Sequence, residues 1–378
     1  MRPRPAIVFR GSTRASVLVI VLVTLLFAAV AVVAFVEKAS EDLVVDGREA
    51  ISRRLRQEAY SALEVTFAVL EEFRQVNGGL RSSAEGWNDP LTFAGWAPRD
   101  GCVAEVQFED ESGKLSLPHA EFAPMVSLFQ SWGLVQSDAE RLADSLLGWM
   151  RKDYVPSSAR PPDYESGDLP YEAPLRPMRS YGELAAIDYA REVFYDQEGR
   201  PNDLYTRFVN TFSLLDFRAT NLNGTSVATM EDMGLLDRSQ VQQLGDYLAG
   251  TGSRQRQGPG YFQSISDATN MLGTKGLPSN YGTEISALRV NITIREGRTA
   301  FHLSAVVAPS GGAKAVQAIA ASHALTDSTK TPTVDPTAPP TAAAPSTAAP
   351  AKKLNSPFTL LEITENVEIS AAPPPTKV

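Results

Sequence analysis

From Ala15 to Phe35 the chain carries an apolar run interrupted only by Ser16 and Thr24, with no charge. As a helix rising roughly 1.5 Å per residue it reaches about 30 Å, the thickness of a bilayer core. Arg2, Arg4, Arg10 and Arg14 precede the run, and Glu37, Glu41 and Asp42 follow it. That bias places the N-terminus in the cytoplasm and the rest of the chain across the membrane. Beyond the run the pattern changes rather than stops. Leu43, Ala50, Ile51, Leu55, Ala59, Ala62, Leu63, Phe67, Leu70 and Phe73 keep helical spacing through residues 37–75, with Arg48, Arg53, Arg54, Glu64 and Glu71 on the other faces. No proline occurs from Ala6 to Asn88. The spacing predicts one long helix, buried in lipid along its first half and amphipathic along its second, ended by Asn77-Gly78-Gly79.

Strand and turn signals come next. Residues 102–108 alternate, Glu109 to Lys114 supply a turn, and Leu115-Ser116-Leu117 resume the alternation. The acidic tip is expected to lie in solvent. Helical spacing returns over 121–132 and 137–150, the second opened by a capping-box pattern, Ser137-Asp138-Ala139-Glu140. A polar, proline-rich loop fills 155–177, and further helices are expected at 181–187, 204–208, 227–233 and 239–248. Asn221-Leu222-Asn223-Gly224-Thr225 precedes one of them, with Asn and Thr suited to capping. Residues 284–296 and 300–307 read as a hairpin turning at Gly297-Arg298. A Pro/Ala/Thr-rich tract over 326–351 reads as an exposed linker, and 358–365 as a late strand. The fold class is α+β, with a helical block inserted between an early strand and a late hairpin, carried on a helical stalk.

Composition narrows the function. The chain has 378 residues and a formal net charge of −9. The leader and its flank are basic, so the remainder is more acidic still, which argues against nucleic acid. A single cysteine, Cys102, excludes an internal disulfide and reads as a small buried hydrophobe. His119, His302 and His323 are scattered, and the chain has no G-x-S-x-G elbow, Walker loop or H-E-x-x-H. Three readings of the N-terminal run stay open on that segment alone. It is a plain anchor, a cleaved secretory signal with Ala29-Val30-Ala31 as its exit, or a prepilin-type leader ending at Arg10-Gly11.

The order of parts resembles the K-type minor pseudopilin (GspK) family of type II secretion systems. Arg10-Gly11 and the apolar run look like its peptidase site and anchor. The segment from Asp110 to Leu117 is similar to its acidic turn followed by glycine, lysine and hydrophobic residues. The segments Leu146 to Asp153, Ser180 to Leu184 and Asn221 to Thr225 resemble three further steps in the family's order. Two positions depart from the pattern: Gly148 stands where the family tends to have Asp, and Ser116 where Asn is usual.

The resemblance implies cleavage among Arg10, Gly11 and Ser12, with methylation of the new N-terminus at Ser12. Ser16 falls fifth after the cut, where most pilin-like proteins carry a Glu; its absence suits a subunit with no neighbour above it. Family members bind calcium in the helical domain, and Asp163, Glu165 and Asp168 offer oxygens for it. The implied organisation is a leader (1–11), a transmembrane helix (12–36), its amphipathic continuation (37–76), a pilin-like β part (77–120 with 280–308), an inserted helical domain (121–279), a linker (309–357) and a C-terminal segment (358–378).

The implied function is structural, not enzymatic. The protein would be an inner-membrane, single-pass pseudopilin with a periplasmic body at the tip of the pseudopilus. Its partners would be the I-, J- and H-type minor pseudopilins, the major pseudopilin, the prepilin peptidase and the inner-membrane platform. The alternatives are a membrane-anchored protein-binding domain unrelated to secretion, and a helix-hairpin-helix-type nucleic-acid module over residues 221–248.

Overall fold

The structure is a computed structural model and describes residues 13–164, 170–273, 277–315 and 357–366. The described residues fall into two compact units that divide between Gln57 and Glu58. Helix α1 (Thr13–Asn77) runs through both. From Val19 to Val36 its large apolar side chains are bare, Phe35 being 73% exposed, and Val19–Ser40 is long and apolar enough to cross a membrane. In the second unit α1 becomes amphipathic. Ala59, Ala62, Leu63, Thr66, Val69 and Leu70 are buried at spacings of three and four, which is one helical face. The helix stops where Gly78 takes a left-handed φ of 72°.

A short helix α2 (Pro90–Phe93), capped by Asp89, leads into strand β1 (Cys102–Asp110). Next come β2 (Leu115–Ser116), α3 (Phe122–Ser131), α4 (Gln136–Met150), α5 (Ala190–Phe194), α6 (Asp203–Thr211), β3 (Phe212–Ser213), β4 (Thr220–Asn221), α7 (Val227–Asp232), α8 (Arg238–Ala249), α9 (Ile265–Leu272) and β5 (Tyr281–Gly282). Strands β6 (Leu288–Glu296), β7 (Thr299–Pro309) and β8 (Phe358–Glu365) complete the order. One antiparallel sheet is ordered β1-β6-β7-β8. One face of it stacks Phe108 beside Val290 and Val290 beside Ala305, and the part of α1 in the second unit packs on the sheet. Phe67 meets Phe358 with ring centres 5.8 Å apart, and the Tyr60 hydroxyl donates to Glu365 at 2.7 Å. The hairpin between β6 and β7 turns on Gly297, at φ 58°.

The helical block lies between β1 and β6 in the chain and holds two cores. Leu117, Phe129, Leu142, Leu146, Phe194 and Phe208 anchor the first. Leu222, Met230, Leu244, Phe262 and Leu272 anchor the second. The two-residue strands β2 with β3 and β4 with β5 pair in parallel and pin the block internally.

Several expectations are corrected. Leu115-Ser116 does not fold back on β1 but pairs with Phe212-Ser213, so no acidic hairpin tip exists there, and Glu111 is only 3% exposed. Ser137 makes no cap: the chain is still extended at Val135, whose carbonyl takes the Asp138 and Ala139 amides, so α4 starts at Gln136. Residues Tyr181–Ala186 wind as a 3-10 turn, because Ser180 closes the tighter ring onto the Gly182 amide. Asn221 and Thr225 do not cap α7, whose first position follows Ser226; their side chains are used elsewhere. Cys102 is half-buried rather than buried.

Ile292 is fully buried in the central strand while Val103 on β1 is 65% exposed. Ile292→Ala should lower unfolding free energy by about 2–5 kcal/mol, and Val103→Ala should stay within about 0.5 kcal/mol. Denaturant titration of the chain in detergent micelles checks both.

Candidate assembly site and the seam between sheet and helical block

Strands β1 and β6 stay paired to Asp110↔Leu288, so the chain leaves the sheet and re-enters it at one point. The charges gather at that seam. The Arg289 guanidinium donates to Glu111 Oε1 from Nε at 2.8 Å and pairs through its second nitrogen at 2.7 Å. Lys114 Nζ lies 3.3 Å from the other oxygen of Glu111 and 2.7 Å from Glu109. Burial raises the Glu111 carboxyl, but Lys114 and Arg289 outweigh it and hold it below its ordinary value. Burial likewise lowers Arg289, and Glu111 reverses the sign.

Asp110 sits beside this pair. Its Oδ1 accepts from the Ser112 amide at 2.9 Å and the Ser112 hydroxyl at 2.6 Å. Its Oδ2 accepts from the Asn221 side-chain amide at 2.7 Å. Burial pushes its carboxyl up to about 6, and the donors on Ser112 and Asn221 hold back the rest. The Asn221–Thr225 segment is a brace around it. Asn221 Nδ2 also donates to the Arg81 carbonyl at 2.9 Å. Asn223 spans the Phe262 and Thr283 carbonyls at 3.0 Å each and accepts the Phe262 amide at 2.7 Å. Thr225 donates to the Asn221 carbonyl. The two glycines are required by closeness: a Cβ on Gly113 would lie 2.4 Å from the Gly224 backbone, and one on Gly224 would lie 2.1 Å from Asp110 Oδ2.

The other two sequence motifs meet within the helical block. Trp149 Nε1 donates to Glu183 Oε2 at 3.1 Å, and Glu183 Oε1 accepts the Arg179 amide at 2.8 Å. Arg176 pairs with Glu183 at 3.2 Å. One turn before Gly148, Asp144 is fully buried and accepts from the Tyr154 hydroxyl and the Ser157 and Ser158 amides. Asp144 and Arg289 escaped the sequence reading. Arg289 stands among alternating strand residues, and its partner Glu111 is 178 positions away. Asp144 is a polar residue on the buried face of α4, which is the signal that marks it.

Arg10, Gly11 and Ser12 lie outside the described residues, and Ser16 falls in the first turns of α1. Of the calcium candidates, Glu165 and Asp168 also lie outside. The Asp163 amide donates to Asp188 Oδ2 at 3.4 Å, while Asp188 faces Arg141 at 3.4 Å. Among the described residues no group of three or more His, Cys, Asp or Glu is placed to hold a metal.

The architecture is therefore α+β: a long N-terminal helix, an antiparallel sheet and a helical block inserted between β1 and β6. Residues 113–197 match the family model for type II secretion system (T2SS), protein K. That segment runs from Gly113 through α3, α4 and Glu183. Among solved structures, the chain is similar to one in the crystal structure of the GspK-GspI-GspJ complex from the enterotoxigenic Escherichia coli type 2 secretion system. The likeness has a TM-score of 0.48 at 13% identity and covers 70% of this chain and 93% of that one. A search of curated proteins gives no match.

Two outcomes test the seam. Gly113→Ala should cost about 1–3 kcal/mol through overpacking, whereas Gly148→Ala, whose Cβ meets nothing nearer than 3.5 Å, should be nearly neutral. The Asp110 carboxyl has a folded value above its ordinary 3.8. Its stabilising contribution is therefore complete below roughly pH 4 and lost as pH rises through about 6. Unfolding titrations of the parent and Asp110→Asn chains across that window should show the parent losing ground to the variant as pH rises. A constant difference would contradict the assignment.

Proposed function

We propose that this protein is a minor pseudopilin of a type II secretion system, acting by assembly rather than by chemistry. The observation that carries the reading is the protein K match over residues 113–197, on a helical block carried behind an apolar N-terminal helix. The Val19–Ser40 segment is the anchor in the inner membrane, with the arginine-rich start in the cytoplasm and the body in the periplasm. After cleavage between Gly11 and Ser12 and methylation of Ser12, the apolar helix packs beside the equivalent helices of the I-, J- and H-type minor pseudopilins and the major pseudopilin. Ser16 presents no carboxylate to a subunit above, which supports a place at the tip of the pseudopilus. The prepilin peptidase and the inner-membrane platform are the remaining partners. Calcium held by Asp163, Glu165 and Asp168 belongs to the same proposal; adding calcium to chelator-treated protein should raise its melting temperature.

Processing tests the reading most simply. Co-expression with a prepilin peptidase should yield a mature chain starting at Ser12. Gly11→Trp should leave the full precursor, read by N-terminal sequencing and mass. A mature chain starting near Val32, or an uncut Met1, would point to a secretory signal or a plain anchor instead.

A further inference from the structure

A cavity of about 520 Å³ opens between α8, the loop that follows it and α9. Its walls include Gln243, Asp246, Tyr247, Ser253 and Arg254. The Arg254 guanidinium lies over the Tyr247 ring, 4.6 Å from its centre. Tyr247 is itself fixed: its ring stacks on Phe262 at 4.6 Å, and its hydroxyl donates to the Tyr261 carbonyl at 2.8 Å. Arg254 Nε is shut off from solvent and has no hydrogen-bond partner, and the guanidinium forms no ion pair among the described residues. The same holds for the ion pairing of Arg256, two positions on. Elsewhere in the body Arg81, Arg99, Arg141, Arg176, Arg207 and Arg289 all face carboxylates.

The planar guanidinium fork fits a carboxylate through two parallel hydrogen bonds. Acceptors stand next to it. Asp246 takes the Thr251 hydroxyl on Oδ1 at 2.6 Å, which leaves Oδ2. Gln243 gives its side-chain amide to the Met271 carbonyl at 3.0 Å, which leaves its oxygen. A donor fork beside two acceptors complements a carboxylate carried on a chain of backbone N–H groups. We propose that this cavity binds a carboxylate-bearing peptide segment of another protein, with Arg254 on the carboxylate and Asp246 and Gln243 accepting backbone N–H groups. This site stands independently of the secretion reading.

Fluorescence anisotropy with the full chain in detergent micelles tests it. The probes are a labelled peptide pool with a fixed central Glu and randomised flanks, and a matched pool with central Gln. The Glu pool should bind at least about tenfold more tightly than the Gln pool. Arg254→Gln should erase that difference, and Arg254→Lys, which keeps the charge and loses the fork, should fall between. Failure of the Glu pool to bind overturns the site. So does equal binding by an Arg254→Gln chain whose circular dichroism is unchanged. Displacement of the Glu pool by an equal concentration of succinate overturns the peptide as ligand and assigns the cavity to a free small carboxylate.

Discussion

The Glu111–Arg289 ion pair sits where β1 hands the chain to the helical block and β6 takes it back. A carboxylate that is only 3% exposed is costly to hold charged unless every oxygen finds a cation or a donor. Glu111 is satisfied by Arg289 on one oxygen and Lys114 on the other. Those three residues come from the start of the insertion, from the turn that begins it and from the strand that closes it. The pair forms where the joined ends of β1 and β6 meet the first turn of the helical block. Because the charges are already removed from water, losing one partner leaves the other stranded.

The neutral and acidic contacts around the pair repeat that arrangement. Ser112 bonds at once to Asp110, the Ala287 carbonyl and the Ser286 amide, so both strand ends are clamped by one residue. Asn221 ties Asp110 to the Arg81 carbonyl just after α1, and Asn223 ties the second helical core to Thr283 before β6. Gly113 and Gly224 let those backbones approach closely enough for the bonds to be short. The segments around 110–117 and 221–225 therefore act structurally: they set the pose of the helical block on the sheet. The apolar first half of α1 carries the membrane chemistry in a separate unit.

Much of this was legible from periodicity. Long segments with one apolar face, α1, α3 and α4, and the alternating β6–β7 hairpin with its Gly297 turn follow directly from spacing. The seam was not legible in the same way. Its motif residues stood out by type, yet Asp110-Glu111 read as a solvated tip because the cation that buries them lies on a strand 178 positions away. Two-residue parallel pairs such as Leu115↔Phe212 have no period at all. Ser137 carried the chemistry of a cap, but the extended backbone at Val135 placed the helix start one residue too early to use it. At the N-terminus the residues that would define processing, Arg10 to Ser12, were named from sequence and fall outside the described residues.

The central claim is that the buried pair couples sheet to helical block, and a double-mutant cycle on Glu111→Gln and Arg289→Met, read by denaturant unfolding of the chain in micelles at neutral pH, tests it most directly. Each single change should cost about 3–5 kcal/mol, and the double variant should recover at least about 1 kcal/mol of their sum. Single losses below about 1 kcal/mol that simply add would contradict the account, because additive small effects describe two surface charges rather than a pair on which the seam depends.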